Sequence, residues 1–394
     1  MTDLPSSELP LAGVRIVEFC TVAAGPFCGM LLGDMGAEVW KIEAPAGDTL
    51  REWPPHRNGF SENFASLNRN KYSVVLNLKS TEDVALARQL IADADVVIEN
   101  NRPGVMDRLG LGFQALLEVN PRLVFCSISA YGQSGPRAGE GGFDLTIQAA
   151  AGVMSVTGEP DGAPVKCGVP LADFASGLYA AFAIASALRK VAHTGQGMQI
   201  DVPMFGCTLG IAALQTSEYF GNGRSPVKLG SAHPRNAPYQ AFAAADGYFA
   251  IAAGNQKLWE AVCRVMGTPE LATDTRFDST AKRARHQVEL KDLLEDSFQH
   301  QNVAHWVAAF RDAGVPSTPI NDYASALADA QVEHMGWVRD IELPDAGTTR
   351  TFISPLRLDG RNLPVRQRPP ALGEHTETLR EQYHAASAQG EERA

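Results

Sequence analysis

An alternation in the first third of the chain constrains its fold most. Val14–Phe19 (VRIVEF) has the apolar, β-branched character of a buried strand. The small-residue stretch AAGPFCGMLLGDMG follows at 23–36, and Ala37–Ile42 (AEVWKI) reads as a second strand. Strand, glycine-bearing turn, helix, strand is the βαβ unit of a parallel sheet. The pattern then repeats. A basic, amide-rich turn at Asn68–Ser73 leads into a strand at 74–79 (VVLNLK). Val84–Ala94 is helical, with Leu86, Leu90 and Ile91 on one face. Asp95–Glu99 and Leu123–Ser129 are further strands, and the glycine-rich loop YGQSGPRAGEGG follows the last of them. This half predicts a doubly wound α/β sheet.

Loops at the carboxyl ends of parallel strands are where such sheets bind ligands. Glu43 closes the second strand, where a ribose-binding acid often sits, but the preceding turn has Gly25-Pro26 and no G-x-G-x-x-G. A nicotinamide dinucleotide is therefore not expected. Lys41, Arg51, Arg69, Lys71, Arg102 and Arg108 fall in or near the strand-end loops. They suit either an anionic ligand bearing several phosphates or a set of solvated loop cations.

The texture changes near Gly221. GNGRSPVKLGSAHPRNAPYQ is polar and rich in Gly and Pro, as an extended connection or active-site loop would be. Phe242–Ala253 predicts a hairpin turning at Asp246-Gly247. Leu258–Met266, Val288–Phe298 and Val303–Ala313 predict helices, Val315–Ile320 an extended segment, and Trp337–Leu358 a strand-rich stretch. The expected organisation is a large α/β domain over 1–220 and a smaller α+β domain over 221–330. A return segment and tail over 331–394 would join the large domain, with the last residues, about 385–394, frayed.

With 394 residues, 45% of them hydrophobic, the chain can build two ordinary cores. No apolar run reaches the roughly 18 residues that cross a bilayer without polar interruption. The start, MTDLPSSELPLAG, lacks the basic and apolar regions of a secretory signal, so a cytoplasmic location is expected. Six cysteines contain no C-x-x-C pair and nine histidines no H-E-x-x-H, so neither a disulfide framework nor a metal site is expected. A formal charge of −11 argues against a nucleic-acid partner.

Two acids stand out. Asp173 precedes an apolar run that reads as a buried helix from Leu178, closed by Arg189-Lys190. Asp144 heads a similar run, 29 positions earlier (173 − 144). A carboxylate at a helix start is either a cap for free N–H groups or a nucleophile or base held where those groups stabilise developing charge.

The flanking motifs resemble the family III CoA-transferases, the superfamily of formyl-CoA transferase, carnitine CoA-transferase and α-methylacyl-CoA racemase. The matching pieces include LAGVRIVEF at 11–19, AGP at 24–26, GDMGAEVWKIE at 33–43 and NRNKYSVVLNLK at 68–79. They continue with ENNRPGVMDRLGL at 99–111, GFDLTIQA at 142–149, ADFASG at 172–177, AHPRNAPYQ at 232–240 and LGEHT at 372–376. Each piece is weak alone; their order and spacing together are specific.

The resemblance implies an interlocked-ring homodimer whose isolated monomer is unstable, with coenzyme A thioesters as substrates and no permanently bound cofactor. It makes Asp173 the catalytic residue, forming an aspartyl-CoA thioester while CoA passes from a donor acyl-CoA to a carboxylic acid. Asp144 and Gly177 would support it. Val22, Ala24, Leu76, Lys79, Asn100, Arg102 and Arg108 match CoA-binding positions. Racemases of the superfamily carry a histidine where this chain has Phe143, and a phenyl ring moves no proton, so transfer is favoured over racemisation. A non-catalytic acyl-CoA-binding homologue is the remaining alternative. Ala23 replaces a glutamine that formyl-CoA transferase uses with oxalate, and Gly230–Pro234 replaces a run of glycines. Both departures argue against oxalate or formate. His233 and Arg235 either pair with the distal carboxylate of a dicarboxylate or form a His-Pro turn. Small dicarboxylates such as succinate, mesaconate, itaconate, citramalate or glutarate are the expected acids, with succinyl-CoA a candidate donor.

Overall fold

The computed structural model describes residues 3–391, with side chains followed to residue 383. The chain divides into two compact units. The first comprises 1–153, 166–223 and 330–394, and the second 154–165 and 224–329. Residues 154–165, inside the range first expected of the large domain, cluster with the second unit.

The first unit is built on six parallel strands: β1 (Arg15–Phe19), β2 (Glu38–Glu43), β3 (Lys71–Val75), β4 (Val96–Glu99), β5 (Val124–Ser129) and β6 (Met198–Pro203). Their order across the sheet is β3-β2-β1-β4-β5-β6. The chain reverses direction of travel between β1 and β4, and a crevice opens beyond the carboxyl ends of strands at such a point. Both faces are covered, as the near-continuous apolar strands require. On one face Ile16, Val39, Ile98 and Cys126 pack beneath helix α1 (Ala24–Asp34) and the long helix α4 (Leu171–Thr194). On the other, Val17, Trp40, Val97 and Phe125 meet Leu86, Leu90 and Ile91 of helix α2 (Thr81–Ala92).

Three expectations need correction. The third strand lies at Lys71–Val75, not 74–79. Lys71 can occupy a buried strand position because its ammonium meets the Glu18 carboxylate at 2.8 Å. The sixth strand, Met198–Pro203, was not foreseen. It is an edge strand whose Gln199 and Asp201 are exposed, so it carries no apolar run.

Helix α4 begins at Leu171, seven residues before the expected start, so Asp173 lies inside its first turn. Nor is the helix buried throughout. Ala172, Ala180, Ile184, Ala187 and Val191 form the buried stripe, while Leu178, Tyr179 and Phe182 are 55, 43 and 72% exposed. The helix is long and apolar enough to cross a membrane by length and composition, a test that core helices of soluble proteins also pass.

Helix α3 (Asp144–Ala150) also belongs to this unit, as does the helix Thr376–Glu391. Of the stretch 385–394 expected to be frayed, 385–391 are helical in the backbone and 392–394 lie outside the described residues. Just before that helix, the LGEHT segment covers the edge strand β3. Val75 donates its N–H to Thr376 Oγ1, Ser73 donates its N–H to His375 Nδ1, and Gly373 donates its N–H to the Ser73 hydroxyl. These bonds satisfy groups that an open sheet edge would leave free for pairing.

The second unit carries a three-stranded antiparallel sheet of Tyr239–Ala244, Gly247–Ala252 and Ser317–Pro319, with the hairpin turning at Ala245-Asp246. Helices Gln256–Met266, Gln287–Phe298 and Val303–Asp312 enclose Phe242, Phe249, Trp259, Phe298 and Phe310.

Candidate active site

A cavity of about 260 Å³ lies in the crevice at the carboxyl ends of β1, β4 and β5. Thr21, Val22, Ala23 and Ala24 line it from the turn after β1, and Asn100, Asn101, Arg102 and Pro103 from the turn after β4. Ser129 and Ala130 end β5, Glu140 to Phe143 come from the glycine-rich loop, and Asp173 and Met204 complete the wall. The fold thus brings together six of the expected site residues: Val22, Ala23, Ala24, Asn100, Arg102 and Phe143, around Asp173.

Asp173 is half-buried, and among the described residues nothing donates a hydrogen bond to its carboxylate. Burial, and then the neighbouring charge of Asp144, push its carboxyl up to about 7. A carboxylate without donors in a poorly hydrated wall is a stronger base and nucleophile than one in water.

Asp144 does not line the cavity. Its Oδ1 accepts the Ala172 N–H at 2.9 Å, and its Oδ2 accepts from Gln148 Nε2 at 2.7 Å. Gln148, wholly buried, accepts the Cys167 N–H at 2.9 Å. These bonds tie α3 to the first turn of α4, where Pro170 supplies no side-chain cap. Asp144 therefore fixes the backbone beside Asp173 and contributes to its field. Gln148 was missed, although its i+4 spacing from Asp144 on a helix is the signal that finds it.

Gly177 lies one helical turn beyond Asp173, against α1. A Cβ there would stand 2.8 Å from the Ala24 carbonyl oxygen and 2.9 Å from the Phe27 ring, so only glycine lets the two helices approach this closely.

Other expected binding residues take different places. Leu76 and Lys79 line a second cavity of about 560 Å³ with Ile42, Ala44 to Ala46 and Leu109, at the ends of β2 and β3. Arg108 lines neither cavity but is exposed beside Leu109. Asn100 cannot offer its amide freely. It accepts the Thr21 N–H at 3.0 Å and donates to the Thr21 carbonyl at 2.9 Å, locking the first turn to the fourth.

Four of the six strand-end cations, read as either an anion site or solvated loop cations, are internal. Lys41 pairs with Glu18 and Asp48, Lys71 with Glu18, Arg69 with Asp34, and Arg51 with Glu43. Lys41 and Lys71 are wholly buried, where an unpaired ammonium could not remain charged. Burial pushes the Lys41 ammonium's pKa down, but Glu18 and Asp48 outweigh it and hold it above its usual value. Of the six, Arg102 and Arg108 are exposed.

Val22 is itself unusual: its φ is +66°, a left-handed conformation that costs a β-branched residue on the order of 1–3 kcal/mol. Its N–H is held by Asp48 Oδ1 at 3.0 Å.

His233 and Arg235 belong to the second unit. His233 Nδ1 accepts the N–H groups of Arg235 and Asn236, both at 3.1 Å, and so closes the His-Pro turn. Burial, then Arg235, push the imidazole's pKa down, favouring the neutral ring.

The profile of CoA-transferase family III matches residues 11–376 of this chain. Among curated proteins, the chain is 37% identical to the succinate–glutarate CoA-transferase of Agrobacterium fabrum over 383 residues, covering 95% of this chain and 96% of that one. It is 37% identical to the succinyl-CoA:glutarate CoA-transferase of Mus musculus, covering 95% and 87%. It is 38% identical to the acetyl-CoA:oxalate CoA-transferase of Acetobacter aceti, covering 96% and 97%. Among solved structures, a CaiB/BaiF family protein from Brucella suis superposes with a TM-score of 0.85 at 39% identity, covering 95% and 99%.

Proposed function

The chain belongs to CoA-transferase family III, and from that membership we propose that it moves CoA from succinyl-CoA to a small dicarboxylate through a covalent intermediate on Asp173. The observation that carries the reading is the Asp173 carboxylate. It is half-buried, takes no hydrogen bond among the described residues, and opens on the crevice where the sheet reverses.

The chemistry balances with the carboxylate alone. An Asp173 oxygen attacks the thioester carbonyl and expels the CoA thiolate, leaving a mixed anhydride. The thiolate then attacks the aspartyl carbonyl and releases the donor acid as its carboxylate. An acceptor carboxylate attacks the resulting aspartyl-CoA thioester, and the same two steps run in reverse to give the new acyl-CoA and free Asp173. Thioester energy is preserved at each step.

The N–H groups of Ala23, Ala24 and Gly25, at the start of α1, have no acceptor among the described residues. Preorganised donors of this kind lower the energy of the tetrahedral oxyanions. Arg102, exposed on the cavity rim, offers a fork for phosphate or carboxylate. On this reading the second cavity, lined by Leu76 and Lys79, takes a distal part of CoA. In the second unit, the neutral His233 shapes its turn. The absence of an imidazole at position 143 and the names of the relatives both favour transfer over racemisation.

The chain works as a homodimer on this reading. Leu178, Tyr179 and Phe182 form an apolar outer face on α4, an unusual exposure for a helix of this composition.

Purified protein incubated with succinyl-CoA and, separately, glutarate, mesaconate, citramalate and oxalate tests the substrate class. New acyl-CoA with a dicarboxylate supports it. Conversion of none of these acids, with α-deuterium entering a branched acyl-CoA instead, contradicts it.

A further inference from the structure

The two buried lysines that do not bind ligand grip the turn that does. Glu18, Lys41 and Lys71 sit on adjacent strands β1, β2 and β3 and share the face covered by α1. Lys41 Nζ donates to the Cys20 carbonyl at 2.6 Å and meets Asp48 Oδ2 at 2.9 Å and Glu18 Oε1 at 3.1 Å. Lys71 Nζ meets Glu18 at 2.8 Å and donates to the Pro26 carbonyl at 2.8 Å and to Asn68 Oδ1 at 3.0 Å. Asp48 in turn accepts the N–H groups of Val22 and Leu50, each at 3.0 Å, and its own N–H donates to Glu43 Oε2 at 3.0 Å.

The backbone of residues 20–26 is therefore held at three points by side chains that never reach the cavity: the Cys20 carbonyl, the Val22 N–H and the Pro26 carbonyl. The middle point is the one in the left-handed conformation. A β-branched residue does not adopt that conformation unless its surroundings impose it. Here Asp48 supplies the imposing contact, with Lys41 fixing its second oxygen.

We infer that Asp48 and Lys41 are positioning residues for acyl transfer, holding Val22 left-handed so that the Ala23 and Ala24 N–H groups stay fixed opposite the reacting thioester. The inference rests on the assignment of Asp173 as nucleophile.

The test compares wild type, Asp48→Ala, Asp48→Asn and Ile91→Val. The asparagine keeps an oxygen for the Val22 N–H. Ile91→Val trims the core on the opposite face of the sheet and serves as a control for lost stability. Three quantities are read: the single-turnover rate of succinate release from succinyl-CoA, the donor's Kd, and hydrogen exchange of the peptide spanning residues 20–25. In Asp48→Ala, the release rate should fall about 10–100-fold, with Kd changed little and exchange at 20–25 faster. Asp48→Asn should recover most of the rate, and Ile91→Val should lower Tm without slowing release. Wild-type release from Asp48→Ala, unchanged exchange, a loss confined to Kd, or an equal loss in Ile91→Val overturns the inference and leaves the Asp173 assignment standing. A wild type that forms no adduct at Asp173 overturns both.

Discussion

The Asp144 carboxylate accepts the main-chain N–H of Ala172 at 2.9 Å, one residue before Asp173. One acid thus anchors the helix turn that carries the other, and its charge raises the other's pKa. Anchor and field can be separated by substitution. Asp144→Asn keeps an acceptor for Ala172 but removes the charge, so the acid limb of the single-turnover pH profile should move down from about 7. Asp144→Ala should move it likewise and also lose about 1 kcal/mol of stability with the cap. The pH dependence of succinate release in a single turnover and thermal denaturation together check this; an unmoved limb contradicts the coupling.

Asp173 should destabilise the fold it serves. Burial first, and Asp144 second, raise its carboxyl to about 7 in the folded protein, against roughly 3.9 in an unfolded chain. The folded state therefore binds the proton more tightly. The stability this gives is full below about 4 and is lost as pH rises from there through about 7. Asp173→Asn, which has no charge to bury, should melt above wild type at pH 8, by roughly 2–4 °C for each kcal/mol released. The difference should shrink towards pH 4. Scanning calorimetry at both pH values checks the sign, and a variant less stable than wild type at pH 8 contradicts it.

Gly177→Ala should weaken both stability and turnover. The added methyl group would meet the Ala24 carbonyl oxygen at 2.8 Å, so α1 and α4 must separate. Overpacking of this kind costs roughly 1–3 kcal/mol. Because Ala24 and Asp173 line the same cavity, kcat should fall more than KM rises. Steady-state kinetics and denaturant unfolding check it; a fully active, equally stable variant contradicts the close-approach role.

Phe182→Glu tests the homodimer. Phe182 is 72% exposed at the centre of the apolar outer face of α4. A carboxylate there should break an interface seated on that face but cost an isolated protomer little. Light scattering should show wild type at twice the chain mass and the variant at, or in equilibrium with, the single mass. A wild type at the single mass contradicts the dimer.

Much of this was legible in the sequence, and the exceptions share a cause. Val14–Phe19, Ala37–Ile42 and Leu123–Ser129 read as strands because a parallel strand covered on both faces needs an apolar run. Met198–Pro203 escaped notice because an edge strand exposes alternate residues, here Gln199 and Asp201. Lys71 displaced the third strand's expected start because a lone lysine argues against burial, and its partner Glu18 lies 53 positions away in the chain. The same blindness left Lys41, Arg51 and Arg69 as either ligand-binding or solvated loop cations, when each pairs with a carboxylate distant in the chain or hidden in the fold. Asp173 was legible from its motif and its place at a helix head. Its partner relationship was not, since Asp144 reaches a backbone N–H, which every residue but proline possesses.

Intact-protein mass spectrometry of the enzyme mixed with succinyl-CoA, before any acceptor is added, tests the central claim most directly. The account predicts a mass gain of one CoA less one water, mapping to the peptide that contains Asp173. The gain should disappear on adding the acceptor acid and be absent from Asp173→Asn. Turnover without such an adduct, or an adduct on another residue, would contradict it.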